Sequence, residues 1–365
     1  MSSKKAHNPP AEEELHTLVV DQGYDVGDAT NVRPPIKKVT PCLLERLLFQ
    51  LDEAVNVKAL LRLWGPRLEF VVRVMLVSTF LDDSLRVVMH FPGQVDQVGA
   101  QGILKVNVLA ALVLGIGLLV QVLGSICLIT LTQPDLATKA LIGWTVVQPI
   151  LYAQLSNGKF VSESLSLVGG LILLQQQVKF QSGSNDWYGA YTQLLGRMLL
   201  PAAYLYDAGM FLVSALTLDE TNSFAMYFAD LSLFVINTAA FAGLVIASIF
   251  VAFGLKSRTI ALVLSFLNLG FVFLQHPFFL YFPSYDNQNE EWKFSEHMSI
   301  PQVSLPNGVT MSDLDGWQIL DLQRYYFFLG LSTSGALWLL VQFGPGDLAV
   351  QKDETLLPYV SRAQD

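Results

Sequence analysis

Four charged side chains sit inside an otherwise apolar run, Val71–Phe91 (VVRVMLVSTFLDDSLRVVMHF): Arg73, Asp82, Asp83 and Arg86. A charge inside a bilayer costs several kcal/mol on insertion scales, so such residues usually face a bundle interior or a water-filled cavity. On a helix, Thr79, Asp82, Asp83 and Arg86 recur at i, i+3, i+4 and i+7, which is one face. Two chemistries fit that stripe. One is an ion pair along the helix that hides its own charge. The other is the polar wall of a cavity shared with other helices. Arg86 can satisfy one carboxylate with two parallel hydrogen bonds. The other carboxylate, Asp82 or Asp83, is therefore expected to face the cavity, with the ion pair as its support.

Further polar residues interrupt other apolar runs: Glu163, Asp207, Asp230 and His276, with Tyr204 placed beside Asp207 as a supporting residue. An excess of carboxylates at one end of a bundle attracts a cation, such as a free α-amino group or a proton. The plainer reading of Glu163 and Asp230 is that they are interfacial and solvated; Asp207 lies deeper in its segment. His276 precedes Pro277 and reads as a helix-end residue. Arg73 and Arg197 fall near the opposite face, where long side chains snorkel to headgroups. Lys256 and Arg258 form a basic turn on that same side. Gly115 and Gly117, and likewise Gly169 and Gly170, form small-residue stripes whose expected role is close helix packing. They are no nucleotide loop, because no strand precedes them.

The sequence carries no metal-ligand spacing among its five histidines, no HExxH and no Walker loop. Of the two cysteines, Cys42 lies in a polar region and Cys127 in an apolar run, so neither a disulfide nor a thiol metal site is expected. No metal, cofactor or enzymatic activity is expected. A net charge of −9 without a basic block argues against nucleic-acid binding.

The elements that must position these residues follow from hydropathy. The chain is 52% hydrophobic and only 15% charged, with a mean hydropathy of +0.44. The reading is an all-α, polytopic transmembrane helix bundle. Eight apolar segments are placed at about 69–91, 105–131, 136–155, 161–178, 192–217, 225–253, 258–280 and 320–343, with seven spans as the alternative. The third and fourth are the most polar, and a hairpin that does not fully cross is also open for them. Residues 1–40 read as a disordered cytosolic tail without a signal-peptide pattern, so an internal segment is expected to act as signal anchor. Residues 41–66 read as an amphipathic helix that Gly65-Pro66 breaks. The bundle spans 67–346 and includes a long polar loop at 281–318; 347–365 is a second tail. Basic residues in the N-terminal region and in the 254–258 turn, against acidic loops at 218–224 and 281–318, put both termini in the cytosol.

Several stretches together resemble one family. STFLDDSLR (Ser78–Arg86) is similar to the STFLEDGxR signature of the surfeit locus protein four family. SLSLVGGLILL (Ser164–Leu174), QLLGRMLL (Gln193–Leu200), FVAFGLKSRTIAL (Phe250–Leu262) and Gly344-Pro345-Gly346 resemble further family stretches in the same order. The resemblance implies an endoplasmic-reticulum membrane cargo receptor. It would bind soluble secretory proteins in the lumen, leave in COPII vesicles for the Golgi and return with COPI. Cargo would be recognised through short hydrophobic signals near an exposed N-terminus. Implied partners are those cargo proteins, the two coats and membrane lipids, with homo-oligomerisation left open. Asp82, Asp83, Arg86, Glu163, Asp207 and Asp230 are then candidate cargo-binding residues. There are departures: Ser84 stands where the signature has glycine, and the sequence ends in VSRAQD where family members carry a dilysine signal, so another retrieval signal is expected. A transporter or lipid-moving protein, and a DoxX-like membrane oxidoreductase, are the alternative functions.

Overall fold

The computed structural model describes residues 57–101, 106–181, 188–216, 231–280, 284–286, 291–293, 316–346 and 348–350. The readings of the 1–40 tail, of Asp230, and of most of 41–56, 281–315 and 347–365 lie outside the described residues.

Ten α-helices are described: α1 Val57–Met89, α2 Phe91–Gln101, α3 Asn107–Thr130, α4 Pro134–Leu151, α5 Gly158–Gln181, α6 Tyr188–Leu199, α7 Ala202–Leu216, α8 Leu231–Phe253, α9 Ser257–Gln275 and α10 Gly316–Phe343. Among the described residues, the one departure from an all-helical body is a small antiparallel hairpin, β1 Ser284–Asp286 with β2 Glu291–Lys293, in which Tyr285 faces Trp292. It lies within the region read as a long polar loop. Among the described residues, three stretches are both long and apolar enough to cross a membrane: Asn107–Thr130, Ser257–Leu280 and Trp317–Phe343. The expected eight are not reached on that measure. Charges interrupt α1 and α5, and Pro201 splits the segment read as 192–217 into α6 and α7.

The break expected at Gly65-Pro66 is absent, since α1 runs through it for 33 residues. A proline inside a helix removes one main-chain hydrogen bond and costs about 3 kcal/mol. Just downstream, Val72, Leu76, Val77 and Phe80 are enclosed in the core and hold the helix in place.

α10 is the axis of the fold, packed on α1, α9 and α5. α3 and α4 pair beside α1 and α5, α6 and α7 lie on α5, and α8 bridges α9 to α6 and α7. Within a bilayer, helices associate through close packing and hydrogen bonds rather than through water exclusion. The crossings obey that rule. A Cβ on Gly335 would stand 2.9 Å from the Leu76 nitrogen, so α10 lies directly on the α1 backbone there. Ser332 donates to the Leu76 carbonyl at the same crossing. A Cβ on Gly169 would stand 2.7 Å from the Leu200 nitrogen, and one on Gly170 would stand 2.6 Å from Ala336 Cβ. Gly117 lies directly under the Trp144 ring. Gly115 is the exception to the packing expected of these glycines. Nothing lies within 4 Å of where its Cβ would be, because it is on the open face of α3 with Leu112, Ile116 and Leu119.

Candidate functional site

The adjacent carboxylates of α1 point about 100° apart around the helix, and they meet different partners. Asp83 Oδ1 accepts from Arg86 Nη2 at 2.5 Å. Its Oδ2 accepts from Gln121 Nε2 of α3 at 2.7 Å and from Gln148 Nε2 of α4 at 2.9 Å. Ser84, at the signature's glycine position, donates to the Phe80 carbonyl at 2.6 Å and lies 3.0 Å from Gln121 Oε1. Its hydroxyl thereby helps orient the amide that serves Asp83. The Arg86 guanidinium also lies 5.1 Å above the Tyr325 ring of α10, a favourable cation–π contact.

Asp82 does not share Arg86. Arg324 of α10 comes to 2.5 Å from its Oδ1, an ion pair by distance that lacks hydrogen-bond alignment. Arg324 also reaches Asp321 at 3.2 Å, and Asp321 Oδ2 lies 2.6 Å from His90 Nε2. Asp82 and Asp83 are both buried, and each carboxylate has its own, partly exposed arginine.

A third cluster stands on α5 and α7. Lys159 Nζ contacts Asp207 at 2.5 and 2.6 Å and Glu163 Oε1 at 3.5 Å. The plain expectation that Glu163 is solvated is not met, because it is buried. Asp207, read as the deeper residue, is exposed instead. The reason is the Pro201 break, which restarts the helix at Ala202 and turns Asp207 outward toward Lys159. Tyr204 packs against the core, with its hydroxyl unpartnered among the described residues. His276 closes α9, stacks on Tyr326 and shares a hydrogen bond of 2.8 Å with Gln323.

Asp83 and Glu163 line one cavity between α1, α4, α5 and α10, together with Thr79, Gln148, Ser164 and Tyr325; Phe80, Phe160 and Leu167 supply its apolar wall. Its volume is about 20 Å³, room for one or two water molecules. The donor set is rich in acceptors and suits a small cation, an ammonium group or water. A pocket for a larger ligand runs to about 300 Å³ and more, so such a guest requires wall groups to move.

The residues expected to snorkel do something else. Arg73 is buried and Arg197 is wholly enclosed. Arg197 Nη2 donates to the Leu348 carbonyl at 3.1 Å, Gln193 Nε2 to the Gly344 carbonyl at 3.2 Å, and Arg258 Nη2 to the Phe343 carbonyl at 3.4 Å. Together they hold the chain where α10 ends. There Gly344 and Gly346 take positive φ values of 76° and 80°, which glycine adopts without strain. Lys256 starts α9 from the left-handed region, φ 44°. Three of the five motif stretches thus meet at this one turn.

Sequence reasoning passed over Arg324, Asp321 and Lys159, which complete the ion pairs. Their signal was present: Asp321 and Arg324 at i, i+3, and Lys159 and Glu163 at i, i+4.

Residues 47–301 match the SURF4 family. That range holds four of the five motif stretches and ends before Gly344-Pro345-Gly346. A protein of Schizosaccharomyces pombe, Surfeit locus protein 4 homolog, is 23% identical over 301 residues, which cover 80% of this chain and 83% of the relative. No solved structure matches the chain. With its membrane-length helices and a family match over most of its length, the protein is a multi-pass membrane protein and belongs to the SURF4 family.

Proposed function

We propose that this protein is a cargo receptor of the endoplasmic-reticulum membrane, cycling to the Golgi, that binds soluble secretory proteins in the lumen and loads them into COPII vesicles. COPI returns it. Family membership supports this reading. The observation that carries it to particular residues is the buried pair Asp83 and Glu163 facing one polar cavity. In this reading the cargo's α-ammonium meets those carboxylates, and its first side chains rest on Phe80, Phe160 and Leu167. Because the cavity is small, binding widens it. Eight crossings follow if α2 is a connector and α6–α7 is one interrupted span. Both termini are then cytosolic, and the carboxylate end is lumenal.

Crosslinking in cells followed by mass spectrometry of the partners tests the reading. Secretory proteins and coat subunits are the expected catch. In parallel, Glu163→Gln should slow secretion of a dependent cargo at normal receptor abundance. Unchanged secretion rejects the carboxylate site.

The interruption between α6 and α7 favours a second reading, a transporter or lipid-moving protein, since broken helices often build solute sites. Here the Ala203 N–H at the break donates to Ser166 Oγ at 3.0 Å, so the side chain of α5 occupies a donor freed at the break. Solute flux into proteoliposomes carrying the purified protein would make this the better reading.

A further inference from the structure

From the outside inward, the charged residues around the cavity form a series. The Asp207 side chain is 46% exposed, Lys159 22% and Glu163 7%. Lys159 is a primary ammonium already seated between the two carboxylates. It does not divide itself evenly. Both Asp207 oxygens hold it, at 2.5 and 2.6 Å, whereas Glu163 has it only at 3.5 Å. Glu163 thus faces the cavity on one side and an ammonium held short of hydrogen-bond distance on the other.

Resting on the cargo-receptor reading above, we infer that Lys159 is a built-in occupant of the cargo ammonium's seat, and that Asp207 regulates the site by holding Lys159 off Glu163 rather than by touching cargo. With Asp207 present, Lys159 has an alternative partner and Glu163 is open to an incoming ammonium. Without it, Lys159 closes onto Glu163 and shuts the seat. The chemical class selected is a free primary ammonium, because that is the group the seat already accommodates. A ligand for a site that is open only a fraction of the time has its affinity reduced by that fraction.

The test uses the full-length protein in lipid nanodiscs. The probe is a five-residue peptide with an apolar N-terminal residue and a C-terminal fluorophore, offered with a free or an acetylated N-terminus. Fluorescence anisotropy reads the affinity. Lys159→Ala should bind the free-amine peptide tighter by up to about twofold, because Lys159 rests on Asp207 and fills the seat less than half of the time. The acetylated peptide should be unaffected. Lys159→Gln keeps a hydrogen-bond donor beside the two carboxylates, so it should give the same direction even if Lys159→Ala does not fold. Asp207→Asn should weaken binding, and Lys159→Gln combined with Asp207→Asn should restore it to the wild-type level or better. If the double variant stays as weak as Asp207→Asn, then Asp207 touches cargo directly and the inference is overturned while the receptor reading stands. Lysine variants that melt like the wild type yet bind no tighter also overturn it. If neither the wild type nor any variant distinguishes the free from the acetylated peptide, the ammonium site itself is rejected, and the inference goes with it.

Discussion

The two ends of α10 solve one problem, a charge inside a helix bundle, in opposite ways. At the end near Arg324, cations meet carboxylates: Arg324 meets Asp82 of another helix, and Arg86, over the Tyr325 ring, meets Asp83 on its own helix. At the end near Phe343, arginines meet main-chain carbonyls at the close of a helix, where the peptide dipoles leave partial negative charge. Side-chain partners can exchange, and here they surround a cavity. Carbonyl partners are fixed by the fold, and Arg197 is wholly enclosed by them and their surroundings. A region built from exchangeable ion pairs beside a cavity is suited to admitting a ligand. A region built from arginine on carbonyl is suited to locking a chain exit.

This contrast sets an order of effects. Arg324→Met strands the Asp82 charge, so stability should fall by about 3–5 kcal/mol, and adding Asp82→Asn should recover most of it. Thermal melting of the purified protein measures both. Arg197→Met strands no carboxylate among the described residues and removes a charged hydrogen bond, so the loss should be nearer 1.5–3 kcal/mol. No second substitution on a carboxylate should repair it. A larger loss at Arg197 than at Arg324 would reverse the contrast. Gly169→Ala pushes a methyl group against the Leu200 backbone and should cost about 1–3 kcal/mol. Gly115→Ala has open space around it and should be neutral or stabilising by up to about 1 kcal/mol through helix propensity. The smallest effect belongs to Asp135, at the start of α4. The hydrogen bond from Lys139, then that from Gln175, holds its carboxyl below the usual range. A depressed folded-state value means stability that is present above the unfolded value of about 4 and is lost as pH falls below it. Asp135→Asn should flatten that acid limb slightly, seen as melting temperature against pH.

Much of the architecture could be read from sequence because helix periodicity and apolar runs are local signals. Segment ends came within a few residues for α3, α9 and α10. The register of Thr79, Asp82, Asp83 and Arg86 marked a polar stripe, but Asp83, which pairs with Arg86, is also the carboxylate that lines the cavity, where the one left over from that pair was expected; Asp82 is taken up by Arg324. The remainder depends on which helices become neighbours, and that is not local. Asp82 finds its partner 242 positions away, in the first turns of the last apolar segment. Asp207 was misjudged because depth was counted along one straight helix, and Pro201 changes the direction of the chain in between. Snorkelling was expected of Arg197 from its distance to the segment end alone, whereas the carbonyl that holds it is that of Leu348, in residues 348–350, which pack back over the bundle.

Adjacent aspartates also fix something beyond charge. One faces Gln121 and Gln148, the other Arg324, and rotating α1 by a single residue would present each to the wrong neighbour. Both neighbours donate, so an aspartate alone does not distinguish the two settings. The distinction comes from Arg86, three residues beyond Asp83 and over Tyr325, and from Ser332 on the Leu76 carbonyl. The Asp-Asp step therefore works as a rotational key: inserting one residue into α1 between Leu76 and Asp82 would leave hydropathy and net charge unchanged and still put the helix out of phase by 100°.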